Sequence, residues 1–510
     1  MKTFILVADL GSSKTELVLY DGMLAVLDSA GFRTPFKEHD GVRTIDPKQY
    51  VESLVDAAGR LAVPRASGNT LYVSTTGMGS TVLAAVASTR VGADGPAAMG
   101  RVLGWETALR EAAAPAGGWA TVPLDRTGKT PLPTYPLFKI PELRRGLAEC
   151  RGRRIAASFV SLHDYIWTSL TGGCRFHTDF SLASRSLLFD DVECRWDARI
   201  LAALGLTEAD VPTAVPAGTV LGPVRAKLRR SLGWPGASFV FAGMHDHVAT
   251  TLTGLRLAET LHGGLKCAVW VNPAGTTESL TSLTEPRAAR MKALVSGAPR
   301  LRLNTARVWD QRMCALVCYP CLSGPVVRSV AECGVDFNAC LRTLNRITAS
   351  PPRRRLAADD PGFVRIHGGH EAAYSDIAAA RLVGVQYELR AGMDDMQALL
   401  DEVEGVRAPG GCREIVCLGG QARLPWLGRL KAVVLNRRVH LLAGENCAAL
   451  GVALRFVEST ARSRPAGIRR RIDRLAASIQ RHDPEPELAT RFEKAYRAYR
   501  RITATWGKRE

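Results

Sequence analysis

Apolar and polar positions fall into blocks along this chain, and one arrangement of blocks recurs. "ILVADLGSSKTELVLYDG" (5–22) runs an apolar stretch into Asp9, Gly11, Ser12, Ser13 and Lys14, then returns at once to a second apolar stretch. That pattern predicts two strands joined by a polar turn. A third strand is expected around Met23–Leu27, and "DPKQYVESLVDAAGRLA" predicts a helix beginning near Asp46–Pro47. "TLYVSTTGMGSTVLAAV" returns to strand. Residues 137–170 read as largely helical up to a "TGG" stop, and 214–240 as short strands and turns. "FVFAG" (239–243) is a buried strand ending in glycine, and "MHDHVATTLTGL" is a helix entered from that turn. "KCAVWVNPAGTTESL" repeats strand, glycine and hydroxyls. "EIVCLGGQARLPWLGRLKAVVL" reads strand, double glycine, helix, followed by the strand "RVHLLA" and the helix "NCAALGVALRF".

The strand that ends in glycine and polar groups thus appears at least four times, in two widely separated halves. Alternating strands and helices predict an α/β protein. Two such halves facing each other form a central cleft, where ligands usually bind. The domain boundary is placed near residue 240: an N-terminal domain over 1–240, a C-terminal domain over 241–457 and a basic helical tail over 458–510. "SPPRRRLAADDPG" (350–362) reads as a proline- and arginine-rich loop.

Length agrees with more than one core, since 510 residues exceed what a single domain usually holds. No run of about 18 apolar residues suggests a membrane span. The opening "MKTFILVADL" meets Asp9 too early for a secretory signal, so a cytoplasmic protein is expected. The net charge of +18 raises the question of nucleic acid. Arginine is spread along the whole chain, however, and the strongest concentration lies after about residue 461. There Ile468, Ile472, Leu475 and Ile479 recur at helical spacing between Arg469, Arg470, Arg471 and Arg474. The pattern predicts a helix docked by its apolar face with solvated arginines outside, and no nucleic-acid partner. The twelve cysteines are scattered, as reduced thiols are in a chain with no signal sequence. Cys314, Cys318 and Cys321 have C-x3-C-x2-C spacing, which would suit an iron–sulfur cluster, but the stretch is as apolar as a buried strand.

Four places carry candidate chemistry. Gly128-Lys129-Thr130 resembles the end of a P-loop, but Pro123 stands where that loop needs glycine and no strand leads into it, so it is set aside. The opening turn is stronger. Gly11 lets backbone amides approach a polyphosphate, Ser12 and Ser13 offer hydroxyls, Lys14 offers a cation, and Asp9 can orient magnesium. Asp246 follows a strand–glycine turn at a helix start. It is read as a general base for a substrate hydroxyl, ahead of a helix cap and ahead of a metal site with His245 and His247. "AGTTES" (274–279) and "LGGQARLPW" (418–426) bring Gly275, Thr276, Gly419, Gly420 and Gln421 to strand ends, where glycine admits a nucleotide close to the backbone.

The order of these motifs resembles the FGGY family of carbohydrate kinases, within the actin-like ATPase fold. "ADLGSSKTELVLYDG" is similar to the family's first phosphate loop, and "TYPLFKIPEL" (134–143) to the stretch around its lysine motif. "SLHDYIWTSLTGGCRFHTDFSLASRSLLFD" (161–190) is similar to the segment that follows. "AGMHDHVATTL" resembles the segment with the catalytic aspartate, and the region from "CLGGQARLPW" to "ENCAALGVAL" the adenosine contacts. The resemblance covers about residues 3–456, and the His-Asp-His form is closest to L-fuculokinase-like and tagatose-kinase-like members. It implies two actin-like, ribonuclease H-like domains facing a cleft, and phosphorylation of a sugar or polyol by ATP with Mg2+. Asp246 is then the base, Asp9 the metal-orienting residue, and a homodimer is compatible.

Two departures concern the substrate. The family's Trp-x-Asp-x-Arg pattern is matched by Trp105-Glu106 without an aspartate in register, and Val383-Gly384 stands where Glu-Gly is usual. Trp105, Glu106 and His245 are taken as substrate-side residues. The departures leave a second reading open, a sugar or nucleotide sensor that has lost efficient catalysis. Glu16 is an acid where relatives often carry a basic residue.

Overall fold

The computed structural model describes residues 2–506 apart from 40–41, 88–94, 108–114, 116–117, 152–156, 263–268, 276, 285–286, 288, 290, 294–302, 310–313, 322–329, 343–373, 405–413, 425 and 462–464. Thr276 and the loop 350–362 lie outside the described residues, as do the side chains of Cys314, Cys318 and Cys321.

The first large sheet contains β1 (Thr3–Leu10), β2 (Lys14–Asp21), β3 (Val26–Arg33), β4 (Thr70–Gly77), β5 (Val220–Pro223), β6 (Ala237–Phe241) and β7 (Met244–His245). Its order is β5-β6-β4-β1-β2-β3, with β7 also on β4. β1 lies antiparallel to β2 and parallel to β4. The third strand starts at Val26, later than the predicted Met23. Asp21 is the cause: its Oδ1 accepts the backbone N–H groups of Met23 and Ala25, both at 2.8 Å, and holds a turn in which Leu24 has φ 62°.

The second sheet contains β8 (Val269–Pro273), β9 (Glu278–Thr284), β10 (Leu303–Arg307), β11 (Cys314–Cys321), β12 (Glu414–Leu418), β13 (Arg438–Leu442) and β14 (Gln480–His482). Its order is β10-β11-β9-β8-β12-β13-β14. β8 is antiparallel to β9 and parallel to β12, as β1 is to β2 and β4. The five strands β3-β2-β1-β4-β6 therefore recur as β11-β9-β8-β12-β13. In both halves a glycine closes the parallel neighbour of the first strand: Gly77 is the last residue of β4, beside β1, and Gly419 follows β12, beside β8.

The helices that matter most for the site are α1 (Pro47–Gly59), α2 (Pro136–Arg151), α3 (Leu162–Thr171), α4 (Asp246–His262), α5 (Leu427–Leu435), α6 (Cys447–Thr460), α7 (Ala466–Ala477) and α8 (Pro486–Trp506). α1 starts as its sequence predicts, with Asp46 accepting from the N–H groups of Lys48 and Gln49 and Pro47 in the first turn. The expected helical stretch 137–170 is broken by a strand at Ser158–Val160, after which Ser161 and Asp164 form a capping box that restarts the chain as α3. A second difference follows Gly419: a 3-10 turn (Gly420–Arg423) comes first, and α5 begins only at Leu427.

α4 and α6 pack between the sheets. One core joins Ile5 and Val7 of β1, Val248 and Leu252 of α4, Val271 of β8, Val416 of β12 and Leu450 and Leu454 of α6. Gly451 permits the close crossing, because a Cβ there would run into the backbone of Ala249. The basic C-terminal segment packs onto this body. α7 buries Ile468, Ile472 and Leu475, β14 pairs with β13, and α8 packs on α5. Among the described residues no helix is long and apolar enough to cross a membrane.

Candidate functional site

The opening turn between β1 and β2 is shaped by Gly11. Its N–H donates to the Asp9 carbonyl at 3.1 Å, and a Cβ at that position would lie 2.5 Å from the Lys14 carbonyl oxygen. Ser13 and Lys14 are exposed at the tip, and Lys14 Nζ donates to Glu16 Oε1 at 3.3 Å. Asp9 lies opposite Glu16 in the ladder. Asn446, the N-cap of α6, donates from Nδ2 to Asp9 Oδ2 at 3.1 Å and to Glu16 Oε2 at 3.2 Å. Burial pushes the Asp9 carboxyl up to about 6, with the Asn446 hydrogen bond pulling it down and the Glu16 charge adding to the rise.

Asp246 begins α4 directly after β7, and Gly243 before it has no room for a side chain against the Thr75 carbonyl. Asp246 Oδ1 accepts from the His247 N–H at 2.7 Å and lies 3.1 Å from His245 Nε2. Burial raises its carboxyl to about 7, and the charge of nearby Asp9 adds to the rise. Asp9 and Asp246, 237 positions apart in the chain, thus feel each other's charge. His245 and His247 stack with ring centres 5.4 Å apart, and burial holds both imidazoles well below the usual histidine range. Gly79 makes room for His245: a Cβ there would lie 2.6 Å from its Cδ2.

The second turn reaches α4 through His247, whose Nδ1 is 2.6 Å from Ser279 Oγ. Beneath it, Glu278 and Lys431 form a fully buried ion pair, and Lys431 also donates to Asn272 Oδ1 at 2.9 Å. Gln421 Nε2 donates to the Gly275 carbonyl at 2.7 Å. Gly419 has φ +116°, and a Cβ would stand 2.7 Å from the Ala274 carbonyl oxygen. Gly420 faces open space. The Gly275 turn and the Gly419–Gln421 turn therefore meet through Ala274 and the Gln421 side chain, and Ser279, further along the same strand pair, bonds to His247 beside Asp246.

Glu106 and Trp105 are placed differently. Glu106 forms an ion pair with Arg43, and Trp105 packs on the core of the first half. Among the described residues no hydrogen bond or ion pair joins either to Asp246. The sequence reading missed Arg185, whose charge acts on Asp246, His245, His247 and Lys139. Its Nη1 donates to the Tyr135 hydroxyl at 3.0 Å. Lys139 is buried, donates to the carbonyls of Ser80 at 3.1 Å and Gly104 at 2.8 Å, and is lowered to about 7 by desolvation and Arg185. Lys129 does not face a cleft: it is fully buried, 2.7 Å from Asp191.

Comparison with known proteins identifies the fold. The model for the N-terminal domain of the FGGY family of carbohydrate kinases matches residues 120–253. Glycerol kinase 2 of Sulfolobus acidocaldarius is 32% identical over 100 residues, 19% of this chain and 20% of that protein. A glycerol kinase of Rhizorhabdus wittichii is 37% identical over 109 residues, 20% of this chain and 21% of that protein. The matched segment spans about a fifth of each of these relatives. Solved structures align over nearly the whole length. The ligand-bound xylulose kinase of Lactobacillus acidophilus superposes with a TM-score of 0.74 at 14% identity, over 99% of this chain and 98% of that one. The Plasmodium falciparum glycerol kinase with ADP gives 0.70 at 16%, over 99% and 98%. The chain carries the two-domain α/β fold of the FGGY-family carbohydrate kinases.

Proposed function

We propose that this protein is an ATP- and magnesium-dependent kinase of a free sugar or polyol. The observation that carries the proposal is the placement of Asp9 and Asp246 at strand ends on either side of β4, where Asp9 and Met244 both lie opposite Thr76, near enough for the two carboxyl charges to interact. Asp246 is the general base. With its carboxyl raised to about 7, it is poised at neutral pH to accept the proton of a substrate hydroxyl. His245, 3.1 Å away, and the capping N–H of His247 hold the carboxylate in place. Arg185 limits the cost of two neighbouring acids.

The residues also fit the nucleotide and its ion. Asp9 is a partly exposed oxygen donor whose carboxyl is destabilised by burial and by Glu16, so a hard cation beside it relieves that charge. The Gly11–Lys14 turn would hold phosphates, and Gly275, Gly419, Gly420 and Gln421 would line the nucleotide; Thr276 is assigned with them from the sequence. When bound, Mg2+ and ATP supply charge neutralisation and the transferred phosphoryl group. Trp105 and His245 are assigned to the substrate side. Glu106 acts there only if its pairing with Arg43 opens.

A coupled ADP-release screen over ketoses, aldoses, deoxysugars, polyols and sugar acids tests the reading. One class is expected to stimulate release, and the same screen tests the L-fuculokinase-like or tagatose-kinase-like assignment of the His245-Asp246-His247 form. If ATP binds and no class stimulates release, the protein is a sensor on this fold instead.

A further inference from the structure

A second cluster lies at the other end of the second sheet. Glu414 is the first residue of β12, whereas Gly419 follows the last. In the parallel pair β12–β13, Glu414 lies opposite Arg438 and Val416 opposite His440. Glu414 and His440 therefore sit on one face of the sheet, two positions apart. Val416 and Leu442 of that face pack in the core with α4. The last residue of α4, His262, closes over the pair. His262 Nε2 and His440 Nε2 each lie 2.9 Å from Glu414 Oε2. The two rings meet edge to face with centres 6.0 Å apart.

We propose that His262, Glu414 and His440 bind a first-row divalent cation of zinc type. Two imidazole nitrogens and one carboxylate oxygen converge within 4.8 Å, the donor set of an open zinc site with a fourth position for water. Glu414 Oε1 is occupied by Arg438 Nη1 at 2.7 Å, so Oε2 is the oxygen presented to both rings. Such an outer hydrogen bond orients a ligand carboxylate. His440 Nε2 is placed to hydrogen-bond Oε2, but His262 Nε2 is buried at the same oxygen with no hydrogen-bond partner among the described residues. A cation between the three atoms satisfies both nitrogens at once. Coordination at about 2.0–2.1 Å requires the side chains to adjust around the ion. The nitrogen-rich set favours zinc over magnesium. The ion would fasten the C-terminal end of the helix whose first residue is Asp246.

The test uses the full chain stripped of metal. Zn2+ alone is titrated by calorimetry, and Co2+ is followed by visible absorption. Wild type is expected to bind one more equivalent of Zn2+ than His262→Gln or Glu414→Gln, with Mg2+ failing to compete. Cobalt is expected to give d–d bands without thiolate charge transfer. Zn2+ should raise the thermal midpoint of wild type and leave both variants unmoved. Equal zinc uptake by wild type and variants overturns the proposal. So does a wild-type cobalt spectrum with a thiolate band or with no d–d bands, an outcome that does not depend on either variant folding.

Discussion

Asn446 Nδ2 donates to Asp9 Oδ2 at 3.1 Å, so the N-cap of α6 holds the carboxylate at the end of β1. The same amide reaches Glu16 Oε2 at 3.2 Å and keeps two neighbouring acids in one arrangement. The helix start, the first turn and the charge state of Asp9 are thereby coupled.

Replacing Asn446 separates these effects. The hydrogen bond favours the ionised form of Asp9, so Asn446→Ala moves that carboxyl above its present value of about 6. A hydrogen bond to a charged group contributes about 1.5–3 kcal/mol. Because Asp246 already titrates near 7, the expected result is an acid limb that grows steeper and moves to higher pH by less than about 1 unit. Turnover at pH 8 falls less than turnover at pH 6. A profile that drops uniformly at every pH removes this role from Asn446.

Asp246→Asn tests the base. General-base removal is expected to cost about 10²–10⁴ in turnover. Nucleotide affinity, measured by calorimetry, should change little. In wild type the carboxylate form is the active one, so activity should decline as pH falls below about 7. A variant with full turnover ends the assignment.

The same substitution has a stability signature of definite sign. The folded protein holds a proton on Asp246 up to about 7, whereas an ordinary aspartate releases it near 3.8. Between these values the native state binds more protons than the unfolded one, so stability is lost as pH rises through the window. Asp246→Asn should therefore stabilise the protein at pH 8, and little or not at all at pH 4. With the side chain 33% exposed, solvent screening reduces the effect to the order of 1 kcal/mol. Thermal unfolding at the two pH values checks it.

Gly419→Ala probes the nucleotide side. Its φ of +116° and the Ala274 carbonyl 2.7 Å from a new Cβ make the substitution strained. A loss of about 1–3 kcal/mol is expected. Because Gln421 bonds to Gly275 across the same turn, ATP affinity should fall as well. An alanine variant with native melting and native ATP affinity removes Gly419 from the site.

Local pattern carried the parts of this site that lie within one strand–turn unit. The Gly11–Lys14 turn, the glycine before Asp246 and the Asp46 cap each show in a few neighbouring residues, because their physics is local. Asn446 and Arg185 carry no such mark. Asn446 looks like any helix cap, and its second task appears only when β1 arrives from 437 positions away. Arg185 follows a short helix and acts through space on groups from three other elements. Glu106 shows the reverse: its place beside Trp105 suggests a ligand from sequence alone, and its pairing with Arg43, distant in the chain, shows only in the fold. The helix expected straight after Gly420 was displaced by a 3-10 turn, since "QARLP" contains a proline that delays the helix start.

Lys129 offers the last test, because its sequence context and its structure point in opposite directions. Gly128-Lys129-Thr130 looks like a phosphate motif, yet Lys129 Nζ donates to Asp191 Oδ2 at 2.7 Å and to the Thr127 carbonyl at 2.6 Å with no exposure. Asp191 Oδ2 also accepts from Ser184 Oγ at 3.0 Å and from Thr305 Oγ1 of β10 at 2.7 Å. The Thr305 N–H donates to the Gly128 carbonyl at 2.8 Å. This segment therefore joins the first half to the edge of the second sheet. Lys129→Met leaves the Asp191 charge buried without its cation, and breaking such a pair costs about 3–5 kcal/mol. Chemical denaturation should show that loss, while ATP affinity of the folded variant stays unchanged. A stable variant that no longer binds ATP would return Lys129 to the phosphate site.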